Sequence, residues 1–221
     1  MVGGISGGWG MDRLAVRVFG PPAGLAAGGV LAGVAAKVAD ESGPTWLGDL
    51  GTYLTLWVFA TALIGRLAPS RSQAALRAAL FFTSLCIGYY AWAGYVLDYP
   101  VGVYAAAWLG VAVTAVPACA ALVRHCFPRD GAVPGVLLGA VAALEVGDGA
   151  VVQLWWWATG QLPEEFPVRP VRAVAGILAA LTIALLFPRR RRTRAWALLS
   201  LVPLSWAAAW VTGYLFAAVS G

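Results

Sequence analysis

The chain has 221 residues, of which 61% are hydrophobic and 11% charged, with a formal charge of +5. A soluble domain carries about 25% charged residues, so these figures and a mean hydropathy of +0.78 exclude a soluble globular domain. The positive charge is almost all arginine (Lys37 is the only lysine) and sits in short clusters between apolar runs, a pattern of membrane orientation and not of nucleic-acid binding.

Seven apolar segments reach the roughly 20 helical residues that cross a bilayer core of about 30 Å. They lie near 18–38, 49–68, 74–97, 101–123, 132–158, 171–188 and 195–218, and their ends carry charge or proline, as at Pro44, Pro69, Pro100, Pro128, Pro163, Pro167 and Pro188. Helices are the expected element, because lipid offers no partner to an unpaired backbone group. The sequence therefore predicts an all-α, polytopic membrane bundle, a single transmembrane domain over residues 1–221 with seven transmembrane helices. The first segment is too long for a signal-peptide core, and retaining it makes the charge pattern regular.

That pattern sets the orientation. Arg13 and Arg17 precede the first segment, and Arg66, Arg71 and Arg77 flank the second loop. Arg124 and Arg129 flank the end of the fourth segment, and Arg189, Arg190, Arg191, Arg192 and Arg194 follow the sixth. The other loops hold Asp40, Glu41, Asp98, Glu164 and Glu165, with only Arg169 and Arg172 against the trend. The positive-inside rule places the N-terminus in the cytoplasm and the C-terminus outside, and the expected location is the bacterial plasma membrane.

Residues 29–40, GVLAGVAAKVAD, line up with 135–148, GVLLGAVAALEVGD, if two residues are inserted in the second copy. The ends of the third and seventh segments also compare, WAGYV at 92–96 with VTGYL at 211–215. This is the pattern of a 3+1+3 parallel repeat with the fourth segment as linker, an arrangement known in transporters. Shared Ala/Gly-rich composition is the alternative source of the likeness.

The chemistry concentrates in the fifth segment. Glu145 lies at its centre, and in a continuous helix Asp148 falls about 60° away on the same face and Trp156 about 20° away. Gln153 flanks that face, and Gly135, Gly139, Gly147 and Gly149 let a helix or ligand approach closely. Acids within a membrane segment face the bundle interior and mark function by default. Two carboxyls one turn apart in a low dielectric do not readily both ionise, so Glu145 and Asp148 can hold a proton at the middle of the membrane. They are the candidate catalytic residues; hydrogen bonding to a neighbouring helix is the structural alternative.

Interfacial belts account for Trp9, Trp46 and Trp196 among the eleven tryptophans. Deeper in the segments, Tyr89, Tyr90, Trp92 and Tyr95 cluster, Tyr53 and Trp57 are spaced i, i+4, and Trp206, Trp210 and Tyr214 continue that spacing over two turns. Such stripes either pack helices or wall a ligand cavity. Trp57, Tyr90, Trp92, Gln153, Trp156, Trp206 and Trp210 are the candidate substrate-binding residues. Lys37 and Glu41 read as a surface i, i+4 pair. Cys86, Cys119 and Cys126 form no CxxC and read as small hydrophobes, and His125 stands alone. No nucleotide, zinc or diphosphate–magnesium motif occurs, so no cofactor and no metal is expected. The expected partners are a lipophilic small molecule and membrane lipid, with no nucleic acid; the oligomeric state stays open.

Residues 44–92 contain Trp46, Leu47 and Gly48 ahead of the second segment, the GRLAPS loop at 65–70 and the pair Tyr89–Tyr90. This stretch resembles a family of uncharacterised multi-spanning membrane proteins from actinobacteria, which carries no known activity. The Arg-over-Lys bias and the Ala/Gly excess suit a GC-rich genome. VGDGAVVQLWWW at 146–157, an Asp-Gly followed by aromatics, resembles the small integral-membrane terpene cyclases. Those are seven-helix bundles of similar size that use intramembrane Glu and Asp as proton donors. Their Asn-x-x-Trp-Glu motif in an early span is absent here.

Three functions are consistent with these residues. In a cofactor-independent, terpene cyclase-like enzyme, Glu145 or Asp148 would protonate an alkene or epoxide of a lipophilic isoprenoid, and the aromatic faces would stabilise the carbocation. In a small proton-coupled transporter or exporter, the same carboxylates would load and release a proton. In a structural or accessory membrane protein, they would lock helices together. A cyclase requires one closed pocket, whereas a transporter requires pseudo-symmetric halves with access from both sides.

Overall fold

The computed structural model describes residues 22–52, 54–147, 149–161 and 169–220. These form helices, with no strand among them: α1 Pro22–Asp40, α2 Thr45–Thr52, α3 Leu54–Leu67, α4 Arg71–Tyr95, α5 Gly102–Val113, α6 Ala115–Cys126, α7 Ala132–Leu144, α8 Ala150–Ala158, α9 Pro170–Leu186 and α10 Arg191–Ser220. Four stretches are long and apolar enough to cross a membrane: Pro22–Asp40, Arg71–Tyr95, Gly102–Cys126 and Arg191–Val211. Thr55–Leu67, Ala132–Leu144 and Pro170–Leu186 are apolar but shorter.

Two of the expected continuous helices are interrupted. Between α5 and α6, Pro117 has no N–H for the Val113 carbonyl and its ring crowds that group. The Thr114 N–H turns back to Val111, and its hydroxyl donates to the Gly110 carbonyl at 2.6 Å. The second interruption divides the segment at 132–158. There α7 ends at Leu144, a turn follows, and α8 begins at Ala150. Gly149 has φ 86°, a left-handed conformation that costs glycine little. The helical phase is lost across this turn, so the reckoning that set Asp148 and Trp156 on the face of Glu145 does not hold. Asp148 itself lies outside the described residues, as does Tyr53.

The most extensive packing is of α1 along α4 and of α7 along α10, and both pairs run parallel. A Cβ at Gly29 would meet the Phe81 carbonyl, Ser84 Cβ and Leu85 N; one at Gly33 would meet the Leu85 carbonyl and Tyr89 N. A Cβ at Gly135 would meet the Thr193 carbonyl, Trp196 Cβ and Ala197 N; one at Gly139 would meet the Ala197 carbonyl and Ser200 Oγ. Two glycines four residues apart thus bring each pair into backbone contact. The glycines aligned between 29–40 and 135–148 occupy corresponding places. The match of 92–96 with 211–215 does not follow that correspondence: the contacts set Leu85 opposite Ala197, about two helical turns from that register.

Two apolar clusters flank these pairs. One gathers Val58, Val123, Leu138, Val141, Ile183, Phe187 and Ala197, the other Ile64, Ala78, Phe82, Leu85, Ala112 and Ala120. Helices α3 and α6 contribute to both clusters. They touch where Gly65 lies against the Ala120 carbonyl.

The contact at Gly139 has a direct test. Gly139→Val is expected to lower the thermal unfolding midpoint of detergent-solubilised protein well below that of Gly110→Val, because a Cβ at Gly110 meets open space. Forcing volume into a packed site costs about 1–3 kcal/mol. Equal midpoints for the two variants would remove backbone contact from the explanation of the α7–α10 pair.

Candidate functional site

At the end of α7 the i→i−4 ladder gives way to tighter bonds. The Glu145 N–H donates to the Ala142 carbonyl at 3.2 Å, and the Val146 N–H to Ala143 at 3.3 Å. The Thr55 hydroxyl of α3 donates to the Glu145 carbonyl at 3.5 Å. On α9, Gly176 lies so close to the same carbonyl that a Cβ would collide with it. Three helices therefore converge on Glu145, which is 1% exposed. A carboxyl at such a depth is held neutral or is compensated by its surroundings.

The other candidates separate into two places. Trp57 and Tyr90 line a cavity of about 270 Å³ between α3, α4, α5 and α6, together with Thr61, Phe82, Cys86 and Trp108. The Trp57 ring meets Phe82 edge-on at 6.0 Å. Binding sites for small molecules run from about 300 to 1,000 Å³, so this chamber suits a small apolar ligand. Trp156, Trp206 and Trp210 instead border an open groove of about 930 Å³ between α8 and α10, with Trp155 and Val146. These rings are exposed, Trp210 at 75%. Trp92 and Gln153 are half-buried and line neither space. Glu145 is absent from both linings, although its neighbour Val146 borders the groove. The described residues thus do not bring the acid and the rings of Trp57 and Tyr90 into one chamber.

Two polar clusters escaped the reading of the sequence. Lys37 and Glu41 do pair at i, i+4, but the lysine is not at the surface: it is 6% exposed. Its ammonium donates to Asp40 at 3.2 Å and to Glu41 at 2.5 Å, and it lies 5.4 and 4.8 Å from the ring centroids of Tyr89 and Tyr99. The Tyr89 hydroxyl donates to Asp40 at 2.8 Å and the Tyr99 hydroxyl to Glu41 at 3.1 Å. Tyr89 also lines the 270 Å³ cavity, so this cage adjoins it. A lone lysine inside an apolar segment was the available signal; its aromatic partners arrive only through the packing of α1 on α4. The second cluster is an ion pair in which Arg169, just before α9, donates to Asp49 on α2. Asp49 is buried, at 5% exposure. This pair explains why an arginine stands against the charge trend of its loop.

Among the described residues no three His, Cys, Asp or Glu side chains converge as metal ligands. No protein-family model, no curated protein and no solved structure matches the chain.

Asp49→Asn keeps the shape of the carboxyl but leaves Arg169 facing a neutral group. A loss of about 1.5–3 kcal/mol is expected, the weight of a hydrogen bond to a charged group, read as a lower unfolding midpoint in detergent. Adding Arg169→Gln to that variant is expected to return part of the loss, since the partner charge is then gone. An unchanged midpoint in the single variant would show that the pair does not tie α2 to α9.

Proposed function

We propose that the chain is a small multi-pass membrane transporter for a lipophilic solute, coupled to protons through Glu145. One observation carries the reading: a buried carboxylic acid at a helix interruption, where α3, α7 and α9 meet. Interrupted helices at membrane depth are tolerated only where protein or a water-filled cavity covers them. In transporters such half-helix ends face the substrate or the coupling ion. The C-terminal end of α7 adds the negative end of its dipole beside the acid.

The paired helices support the same reading. Parallel pairs α1–α4 and α7–α10, joined through α5 and α6, suit a 3+1+3 arrangement in which one unit rocks against the other. All seven apolar segments then cross the bacterial plasma membrane, with α2 and α3 as the second, the N-terminus cytoplasmic and the C-terminus outside. The cavity at Trp57 and Tyr90 serves the solute, and the Asp49–Arg169 pair bridges the two units at the outer side. Membership of the actinobacterial multi-spanning family is part of this proposal.

The cyclase is the second reading, and the aromatic cavity favours it: Trp57, Phe82, Tyr90 and Trp108 offer π-faces to a carbocation. It requires an acid to reach that cavity, whose lining does not include Glu145. The transporter reading needs no such contact, because the proton and the solute can occupy separate places.

Full-length protein in sealed vesicles, given an isoprenoid probe and a pH gradient, separates the two. The transporter moves the probe across the membrane, the movement collapses with the gradient, and Glu145→Gln inserts normally but abolishes the coupling. Cyclised product from detergent-solubilised protein, detected by mass spectrometry and reduced about 10²–10⁴-fold in Glu145→Gln, would establish the enzyme instead. Full activity of Glu145→Gln in either assay would reduce the acid to a helix-locking role. Orientation is checked independently: a reporter fused after Gly221 should be external and one fused after Arg129 cytoplasmic.

A further inference from the structure

At the end of the bundle away from Lys37, helices α3, α6 and α9 finish side by side. Arg66 belongs to the last turn of α3, Phe127 follows α6, and Phe187 and Arg189 follow α9. The Arg66 guanidinium lies 4.9 Å from the Phe187 ring centroid and 5.5 Å from that of Phe127, and the Arg189 guanidinium lies 4.5 Å from Phe127. Both rings are buried. One fixed ring therefore gathers two cations.

Among the described residues neither Arg66 nor Arg189 takes part in an ion pair, so neither guanidinium has a carboxylate partner there. The acid described here is Asp130, whose carboxylate accepts from the Thr193 hydroxyl and the Gly131 N–H, both at 2.9 Å. Arg190, Arg191 and Arg192 stand exposed beside Arg189 and add positive charge where α10 begins. Arg194 and Arg124 are committed elsewhere, donating to the carbonyls of Pro188 and Pro69. A guanidinium held over a ring by its cation–π attraction can still offer N–H groups to an anion, and its planar fork matches phosphate oxygens two at a time.

We infer that Arg66 and Arg189 form a binding site for a phosphate-bearing anion, with Phe127 and Phe187 holding the two guanidinium planes. The phosphate comes either from an anionic lipid headgroup in the adjoining leaflet or from a free phosphate in the aqueous phase. Basic pockets between helices at a membrane surface select anionic headgroups in this way. The inference is independent of what the protein transports or converts, since the cavity and Glu145 play no part in it.

The test uses full-length protein in neutral detergent, titrated separately with phosphatidylglycerol, phosphatidylcholine and inorganic phosphate. Bound lipid is counted by native mass spectrometry, and unfolding midpoints are followed in parallel. Phosphatidylglycerol retained in preference to phosphatidylcholine identifies the headgroup; a rise in midpoint with inorganic phosphate alone identifies free phosphate. In either case Arg189→Gln, an exposed position where folding is not at stake, should weaken binding by about fivefold or more, the weight of one basic side chain near an anionic surface. Arg66→Lys keeps the charge but loses the stacked fork, and should weaken it as well. Arg71→Gln and Arg129→Gln remove the same charge at the same end of the bundle, outside the ring cluster, and should change binding by less than about twofold. Equal losses in the cluster and control variants, or no preference for either phosphate over phosphatidylcholine, would overturn the inference.

Discussion

Where Gly29 and Gly33 meet α4, and where Gly135 and Gly139 meet α10, the absence of a Cβ lets the helix backbones approach closely. In lipid the hydrophobic effect does not drive helices together, and close packing of small residues takes its place. That contact orients both pairs in parallel, so the chain between the two members of each pair has to return in the opposite sense. Helices α2 and α3 make the first return, and α9 makes the second. The remaining helices fill the positions this leaves, with α3 and α6 shared between the two apolar clusters.

The interruption at Glu145 is tied to the same packing. Beyond Gly139 the chain stays against α10, and a Cβ at Gly147 would already meet Ala208. Turning there redirects α8 and presents the Glu145 carbonyl, just past α7, to Thr55 and Gly176. An acid at that point is covered by protein from three helices. The aromatic cavity forms elsewhere, where α5 and α6 border Trp57 and Tyr90. Acid and cavity are thus products of different contacts, which is why a mechanism with separate places for proton and solute suits this architecture.

Charge is handled differently at the two ends of the bundle. Lys37 and Arg169 have carboxylate partners, and two tyrosine hydroxyls complete the lysine cage. Arg66 and Arg189 share an aromatic ring instead. An ammonium buried near a cavity needs compensation within the protein, whereas a guanidinium stacked at the edge of the bundle can take its counter-charge from outside.

Composition, proline and charge determined the helical character of the chain and where its apolar segments begin and end, because these act within a few residues of themselves. At 29–33 the glycine spacing was legible only as part of the repeat, but at 135–139 it was also legible as close approach, since four residues return a helix to the same face. What that face touches was not, and the register of α10 against α7 differs from the one suggested by the ends of the segments. The turn at 145–147 was hidden for a related reason: glycine is common in apolar helices and announces a break only when the tertiary contacts require one. The same holds for the aromatic residues. Helical spacing placed Trp57 and Trp206 on stripes of their own helices, but only packing decided that Trp57 would line a cavity and Trp206 an open groove. Partners such as Asp49 and Arg169 lie far apart in the chain, and no local pattern encodes a contact that depends on how two helices are docked.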